Sequence, residues 1–429
     1  MKLESFWLDT APAFQGGAAG QVGEAADRVD VAIVGGGYSG LSAGLALARR
    51  GASVVVLEAG RVIGEASGRN GGQCNNGTAQ SYSALVQEFG EDTARRFYLA
   101  YNSAVDTVER LVQSENIDCG FRRCGKLKLA AKPEHYEGLA RASEALLAAG
   151  VDPGVKLVTA AELPAELGCG GYFGGLLQPD SAQMHVGKFG VGLAEAAAAA
   201  GARVYEHAAV TGLQRLPSGD WQVSSARGSV QAKQVLVTTG GSGPGPFGWF
   251  RRRIVPVGSF AVVTAPLPAE LTERLLPQSR NYVTTRHIGN YFRLTPDNRL
   301  LFGGRARFAV SNPKSDQKSG AVLRAALERH FPELQGVGID YCWGGTVDMS
   351  QDRLPRAGEK NGLYYSMGYS GHGVQMSVHM GEVMAEVMAG NRAANPWRDL
   401  SWPAIPGHFG KPWFLPLVGL YYQWLDRVQ

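Results

Sequence analysis

The chain has 429 residues, of which 45% are hydrophobic and 19% charged, with a formal net charge of +4. It is long enough for two domains with cores of their own, and its mild, dispersed positive charge makes no case for nucleic acid as a partner. Five scattered cysteines, with no zinc-ligand spacing and no histidine cluster beside them, point to a reduced, cytoplasmic protein without a metal site. The N-terminus carries acids rather than the apolar run of a signal peptide, and no stretch reaches the roughly 20 apolar residues of a membrane span.

In chain order, residues 1–28 are an arm that ends in a Gly/Ala-rich linker, with Phe6 and Trp7 expected to pin it to the surface. The apolar run 31–34 predicts a buried parallel strand. It runs into Gly35, Gly37 and Gly40 at G-x-G-x-x-G spacing, then into a helix over 41–50 closed by Gly51 and a second buried strand over 53–57 ending on Glu58. Each part has a physical task in dinucleotide binding. Gly35 permits the tight turn, Gly37 a close approach of backbone to pyrophosphate, and Gly40 close helix–strand packing. The helix N-terminus offers unpaired N–H groups to phosphate. Glu58 is placed to accept both hydroxyls of an adenosine ribose and would repel the 2′-phosphate of NADP.

Residues 59–80, dense in Gly, Ser and Asn, read as a long irregular loop, a feature usually tied to function. Helices are expected over 92–116, 134–149 and 188–200, and strands over 126–130, 202–206, 221–223 and 234–238. The last of these runs into glycines at 240 and 241, a second place where backbone can approach a cofactor. Strand-like alternation follows at 254–257, 260–264, 291–294 and 300–302, then a helix over 317–330. Residues 341–375 read as turns and short strands, followed by a helix over 373–388 and an aromatic tail with a short helix over 415–425.

This order predicts an α/β fold. A discontinuous Rossmann-type nucleotide domain (29–90, 180–245 and 340–400) carries an inserted α+β substrate domain on a large mixed sheet (91–179 and 246–339), with the arm at 1–28 and the tail at 401–429.

The glycines with Glu58, together with EASGRNGGQ (65–73), PDSAQMHVGK (179–188), YFRLTPDNRLLFGG (291–304), WGGTVDMSQDRLPRAG (343–358) and GYSGHGVQ (368–375), run in one order over almost the whole chain. In that order they resemble the D-amino-acid-oxidase superfamily of FAD-dependent amine oxidoreductases. The SFWLDTAP arm and the SGRNGGQ loop resemble the branch containing gamma-glutamylputrescine oxidases. The resemblance implies a glutathione-reductase-like FAD domain beside a large mixed sheet that roofs the isoalloxazine.

For the cofactor it implies Gly35, Gly37, Tyr38, Ser39 and Gly40 in the phosphate turn, and Glu58 with Ala59 at the ribose. Ser67, Gly68, Arg69, Asn70, Gly71 and Gly72 would wrap the pyrophosphate and flavin edge, Arg69 adding charge there or lying on the surface. Val210 reads the adenine or is a plain core valine. Thr239 and Gly240 follow the ribityl side. Gly371, His372, Gly373 and Val374 would present the start of the last helix to the flavin N1/O2 edge, with His372 as a structural alternative. The chain has no cysteine beyond Cys342, so non-covalent FAD is expected; Cys74 reads as a packing residue and Asp352 as a loop anchor.

The sarcosine-oxidase branch clamps a carboxylate with a lysine and arginines where this chain has Gln375, Gly72 and Asn75. Arg293, on the roof strand with Tyr291, is either a substrate anchor or part of a structural salt bridge. Tyr291, Arg293, His372 and Gln375 are the substrate-side candidates. The implied reaction passes a hydride from the carbon beside an amine to flavin N5, and water hydrolyses the imine. The expected partners are a small amine or amino acid, such as a gamma-glutamylputrescine-like amine, and oxygen or an electron carrier. Two alternatives remain: a D-amino-acid or glycine-type dehydrogenase feeding a quinone or carrier, its tail touching a membrane, and a flavin-binding protein without turnover.

Overall fold

The structure is a computed structural model that describes residues 1–429 except 25–26, 241–242, 244, 305–310, 411 and 429, and leaves the side chains of 423, 427 and 428 aside. Residues 31–34, the second half of strand Arg28–Val34, and strand Val54–Leu57 read as unbroken apolar runs because the sheet they form is covered on both faces. In that sheet 203–205, 54–57, 28–34, 228–237 and 363–367 run parallel, and 210–225 and 356–360 extend it antiparallel. Helices Tyr38–Ala48 and Gly373–Met388 cross so closely that a Cβ on Gly381 would lie 2.6 Å from Ser39 O. With a nucleotide sheet of this kind beside a second, mixed sheet, the predicted fold class holds.

Among the described residues the second sheet has eight strands, in the order 339–349, 255–264, 300–304, 290–294, 281–284, 126–129, 174–178 and 156–159. Two expectations need correction here. The stretches 254–257 and 260–264 are one strand, Val255–Thr264, because it pairs along its length with Ile339–Met349. That partner, eleven residues long, was expected as turns and short strands within the nucleotide domain. Gly344 and Gly345 dilute its apolar pattern, and only its pairing reveals it as the edge of the roof sheet.

The arm is another correction: it is inserted rather than pinned to the surface. Trp7 is 0% exposed and donates its indole N–H to Asn70 O at 2.7 Å, while Ser5 Oγ donates to Gly68 O at 2.6 Å. The tail packs against the roof sheet, not only on the nucleotide domain. Helix Leu415–Val428 is held there by the Asp426 carboxylate, which accepts the N–H groups of His287 and Ile288, both at 2.8 Å. Among the described residues no helix is long and apolar enough to cross a membrane.

Candidate active site

A cavity of about 1950 Å³ is lined from both sheets and by the C-terminal helix. Pockets for one small ligand reach about 1,000 Å³, so there is room for a dinucleotide and a substrate together. At one end the strand Arg28–Val34 turns through Gly35, whose φ of +109° lies in the left-handed region that suits glycine. Gly37 caps the helix Tyr38–Ala48, and a Cβ on Gly40 would lie 1.9 Å from Gly35 O. The first-turn N–H groups of that helix have no partner within it and face the cavity with Gly35, Gly37, Tyr38 and Ser39. Tyr38 N–H donates to Ser67 Oγ at 3.1 Å, which ties the phosphate turn to the 65–73 loop.

Glu58 ends its strand at the same end. Its Oε2 accepts Gly36 N–H at 2.6 Å and its Oε1 accepts Gly60 N–H at 2.8 Å. A carboxylate has about four acceptor sites, so two remain for ribose hydroxyls. Burial raises its pKa, and the two backbone donors oppose that rise. Ala59, Val210, Thr239 and Gly240 line the same stretch. Gly240 adopts φ +70°, with Asp348 packed where a Cβ would stand.

Beside the glycine turn, where Ser39 Oγ and Tyr369 OH are 2.7 Å apart, Gly371 to Val374 open the helix Gly373–Met388 into the cavity. His372 packs edge-on against Tyr101, with ring centroids 5.4 Å apart, and its buried Nδ1 has no partner. Burial, reinforced by Lys126, Arg353 and Lys128, pushes its pKa down to about 3, so the imidazole is neutral at the mouth of the helix. Gln375 donates its amide N–H to Asn75 O, which leaves its buried Oε1 unpartnered. Tyr291 lies between two glycines: a Cβ on Gly71 would come 2.5 Å from its ring, and one on Gly303 2.3 Å.

Three site expectations are corrected by this geometry. Gly68 and Gly72 turn away from the cavity toward the arm, where a Cβ on Gly68 would meet Leu8 at 2.4 Å and one on Gly72 would meet Trp7 at 2.9 Å; Ser67, Arg69, Asn70 and Gly71 do line the cavity. Arg293 shares a strand face with Tyr291 but is not a cavity residue. It is 1% exposed, and its guanidinium donates to Gly72 O at 2.6 Å and Met184 O at 3.1 Å beneath the Trp7 ring. Burial lowers its pKa to about 10. It forms neither the substrate anchor nor the salt bridge, because the 70–72 loop and the arm cover that part of the face. Asp352 fixes its loop, bonding Leu354 N–H at 3.0 Å and pairing with Arg356.

Sequence reasoning missed Lys126, Lys128 and Arg353, all of which line the cavity. The KLKL alternation of strand Lys126–Leu129 put both lysines on one face, but it did not say that this face meets a cavity rather than solvent. The helix residues Leu415, Val418 and Tyr422 also line it.

A glycine turn, a ribose-ready carboxylate and a helix N-terminus facing one cavity under a mixed sheet define a dinucleotide-dependent flavoprotein. The chain matches the model described as FAD dependent oxidoreductase over residues 30–387, and it belongs to that family. It is 32% identical over 411 residues to gamma-glutamylputrescine oxidoreductase of Escherichia coli (strain K12), covering 93% of each chain. It is 29% identical over 410 residues to a probable oxidoreductase OrdL of Haemophilus influenzae, covering 94% of this chain and 93% of that one. The crystal structure of glycine oxidase from Geobacillus kaustophilus superposes with a TM-score of 0.71 at 23% identity, over 85% of this chain and 95% of that one. The protein is an FAD-dependent oxidoreductase, and the glycine turn, Glu58 and the start of helix Gly373–Met388 fit the cofactor.

Proposed function

We infer that the enzyme oxidises the carbon beside the terminal amine of an N-acylated diamine of the gamma-glutamylputrescine type. The observation that carries this reading is the uncharged Gln375. It lies near Asn75, and no cation stands at the positions of Gly72, Asn75 and Gln375, so the clamp of the sarcosine-oxidase branch has no counterpart at those positions; the cations of the cavity, Lys126, Lys128 and Arg353, stand on other segments. Burying a carboxylate without such a partner costs several kcal/mol. A neutral amine meets no such cost, and Gln375 Oε1 can accept its N–H.

Bound FAD supplies the two-electron acceptor for the C–H beside the nitrogen. The chain supplies position and shelter. Tyr291 closes the roof between Gly71 and Gly303, His372 stays neutral, and the helix Gly373–Met388 directs its positive dipole end into the cavity. Leu415, Val418 and Tyr422 restrict water at the tail side.

The test is an anaerobic screen of amines, acylated polyamines and amino acids with flavin absorbance as the readout. Gamma-glutamylputrescine should bleach the flavin faster than glycine or sarcosine; fastest bleaching by an amino acid would refute the reading. Admitting air to the bleached enzyme then distinguishes oxygen from a carrier as acceptor: prompt return of colour identifies an oxidase.

A further inference from the structure

Lys126, Lys128 and Arg353 line the cavity, and none forms an ion pair among the described residues. Lys128 belongs to a continuous row of register partners across the roof sheet, Lys128 to Val283 to Tyr291 to Gly303. It therefore stands two strands from Tyr291, about 10 Å between backbones at the usual inter-strand spacing. Lys126 lies two residues back on the same face, 9% exposed, with Nζ donating to Asn76 O at 2.8 Å. Asn76 is itself held by the buried Asp152, whose Oδ2 accepts from its amide at 3.3 Å and from Tyr98 OH at 2.9 Å. Arg353 arrives from the opposite side, on the turn after strand Ile339–Met349, at φ +60°, a conformation a long side chain seldom adopts.

The three cations are close enough to act on one another. Burial and Lys128 lower the pKa of Lys126, burial and Arg353 lower that of Lys128, and all three lower that of His372. Asp152 only partly offsets this at Lys126. The acids that line the cavity lie on other segments: Glu4 on the arm, Glu58 and Glu65 at the nucleotide turn and the loop after it, and Asp348 against Gly240. Like charges gathered in a partly desolvated cavity, and only partly offset by Asp152, repel one another, and an incoming anion relieves that repulsion.

We propose that Lys128 and Arg353, with Lys126 behind them, form an anion-binding subsite that holds a substrate carboxylate remote from the reacting amine. The substrate class is an ω-amine whose far end carries a carboxylate, as in a γ-glutamyl amide. The substrate rests on the oxidase reading above; the anion site itself does not.

Two measurements separate those claims. The first compares kcat/KM for N-glutarylputrescine with that for N-pentanoylputrescine, which differs only in a methyl where the other has its carboxylate, in wild type, Lys128→Met and Arg353→Met, each checked for full flavin content. Loss of one partner of a desolvated charge pair should lower the acidic-to-neutral preference by roughly 30-fold or more, chiefly through KM, with partial recovery in Lys128→Arg. An unchanged preference overturns the subsite. The second titrates holoenzyme with γ-glutamyl-n-butylamide, which has the carboxylate but no terminal amine, following the flavin spectrum and equilibrium dialysis. Binding that both methionine variants weaken by a similar factor supports the subsite even if no amine is turned over. Binding equal in all three proteins, or absent from wild type, overturns it.

Discussion

Replacing Arg293 by methionine tests where that side chain acts. Its guanidinium makes two charged hydrogen bonds, to Gly72 O and Met184 O, and packs 5.1 Å from the Trp7 ring. Hydrogen bonds from a charged donor contribute about 1.5–3 kcal/mol each, and a desolvated cation–π contact about 2 kcal/mol. Against these stands the burial that brings its pKa down to about 10. That shift from 12.5 corresponds to about 3 kcal/mol at about 1.4 kcal/mol per unit. The net cost of Arg293→Met is then about 2–5 kcal/mol, in line with the loss of one partner from a buried charged contact. The loss falls on the loop 66–74 and on the arm that Trp7 anchors. Equilibrium urea unfolding of the holoenzyme should show it, together with faster proteolysis of the arm, and turnover of acidic and neutral amines should fall by the same factor. Unchanged stability with selective loss of acidic-substrate turnover would refute the reasoning and return Arg293 to the substrate.

Other expectations follow from the same structure. Glu58→Ala should weaken FAD binding at least about a hundredfold, since two ribose bonds to a charged acceptor are worth at least about 3 kcal/mol together; an unaltered Kd in a folded variant, measured by flavin fluorescence quenching, would count against the assignment. The flavin should leave with acid or heat, because none of the five cysteines lines the cavity; flavin pelleting with the denatured protein would contradict this. Lys126, held at about 7 against an ordinary 10.5, binds fewer protons folded than unfolded between those values. Stability should therefore rise with pH across that window, and the cost should be in full force below pH 7; Lys126→Met should flatten the slope in urea unfolding from pH 6.5 to 9. Asp426→Asn should loosen the helix Leu415–Val428 from His287 and Ile288, read as quicker amide exchange in residues 415–428 with the rest of the chain unaffected.

The nucleotide unit was legible in the sequence because its determinants are local. A strand, a tight turn and a helix within 30 residues fix the positions of Gly35, Gly37 and Gly40, and the next strand delivers Glu58 to the same end of the sheet. The start of helix Gly373–Met388 was legible for the same reason, since a glycine-rich turn before an apolar-periodic run marks a helix N-terminus. What the sequence could not decide depends on which faces meet. Strand alternation placed Tyr291 and Arg293 on one side, yet the 70–72 loop and the inserted arm leave the tyrosine in the cavity and seal the arginine behind Gly72. Alternation likewise paired Lys126 with Lys128, and only the pairing of their strand with 281–284 turned that face into the roof. The strand Ile339–Met349 has too many glycines to announce itself and exists because Val255–Thr264 bonds along its length. Period and turn chemistry are written in neighbouring residues, whereas the surface a side chain meets is set by segments hundreds of positions away, whose packing alone separates a buried cation beneath a loop from a cation facing a substrate.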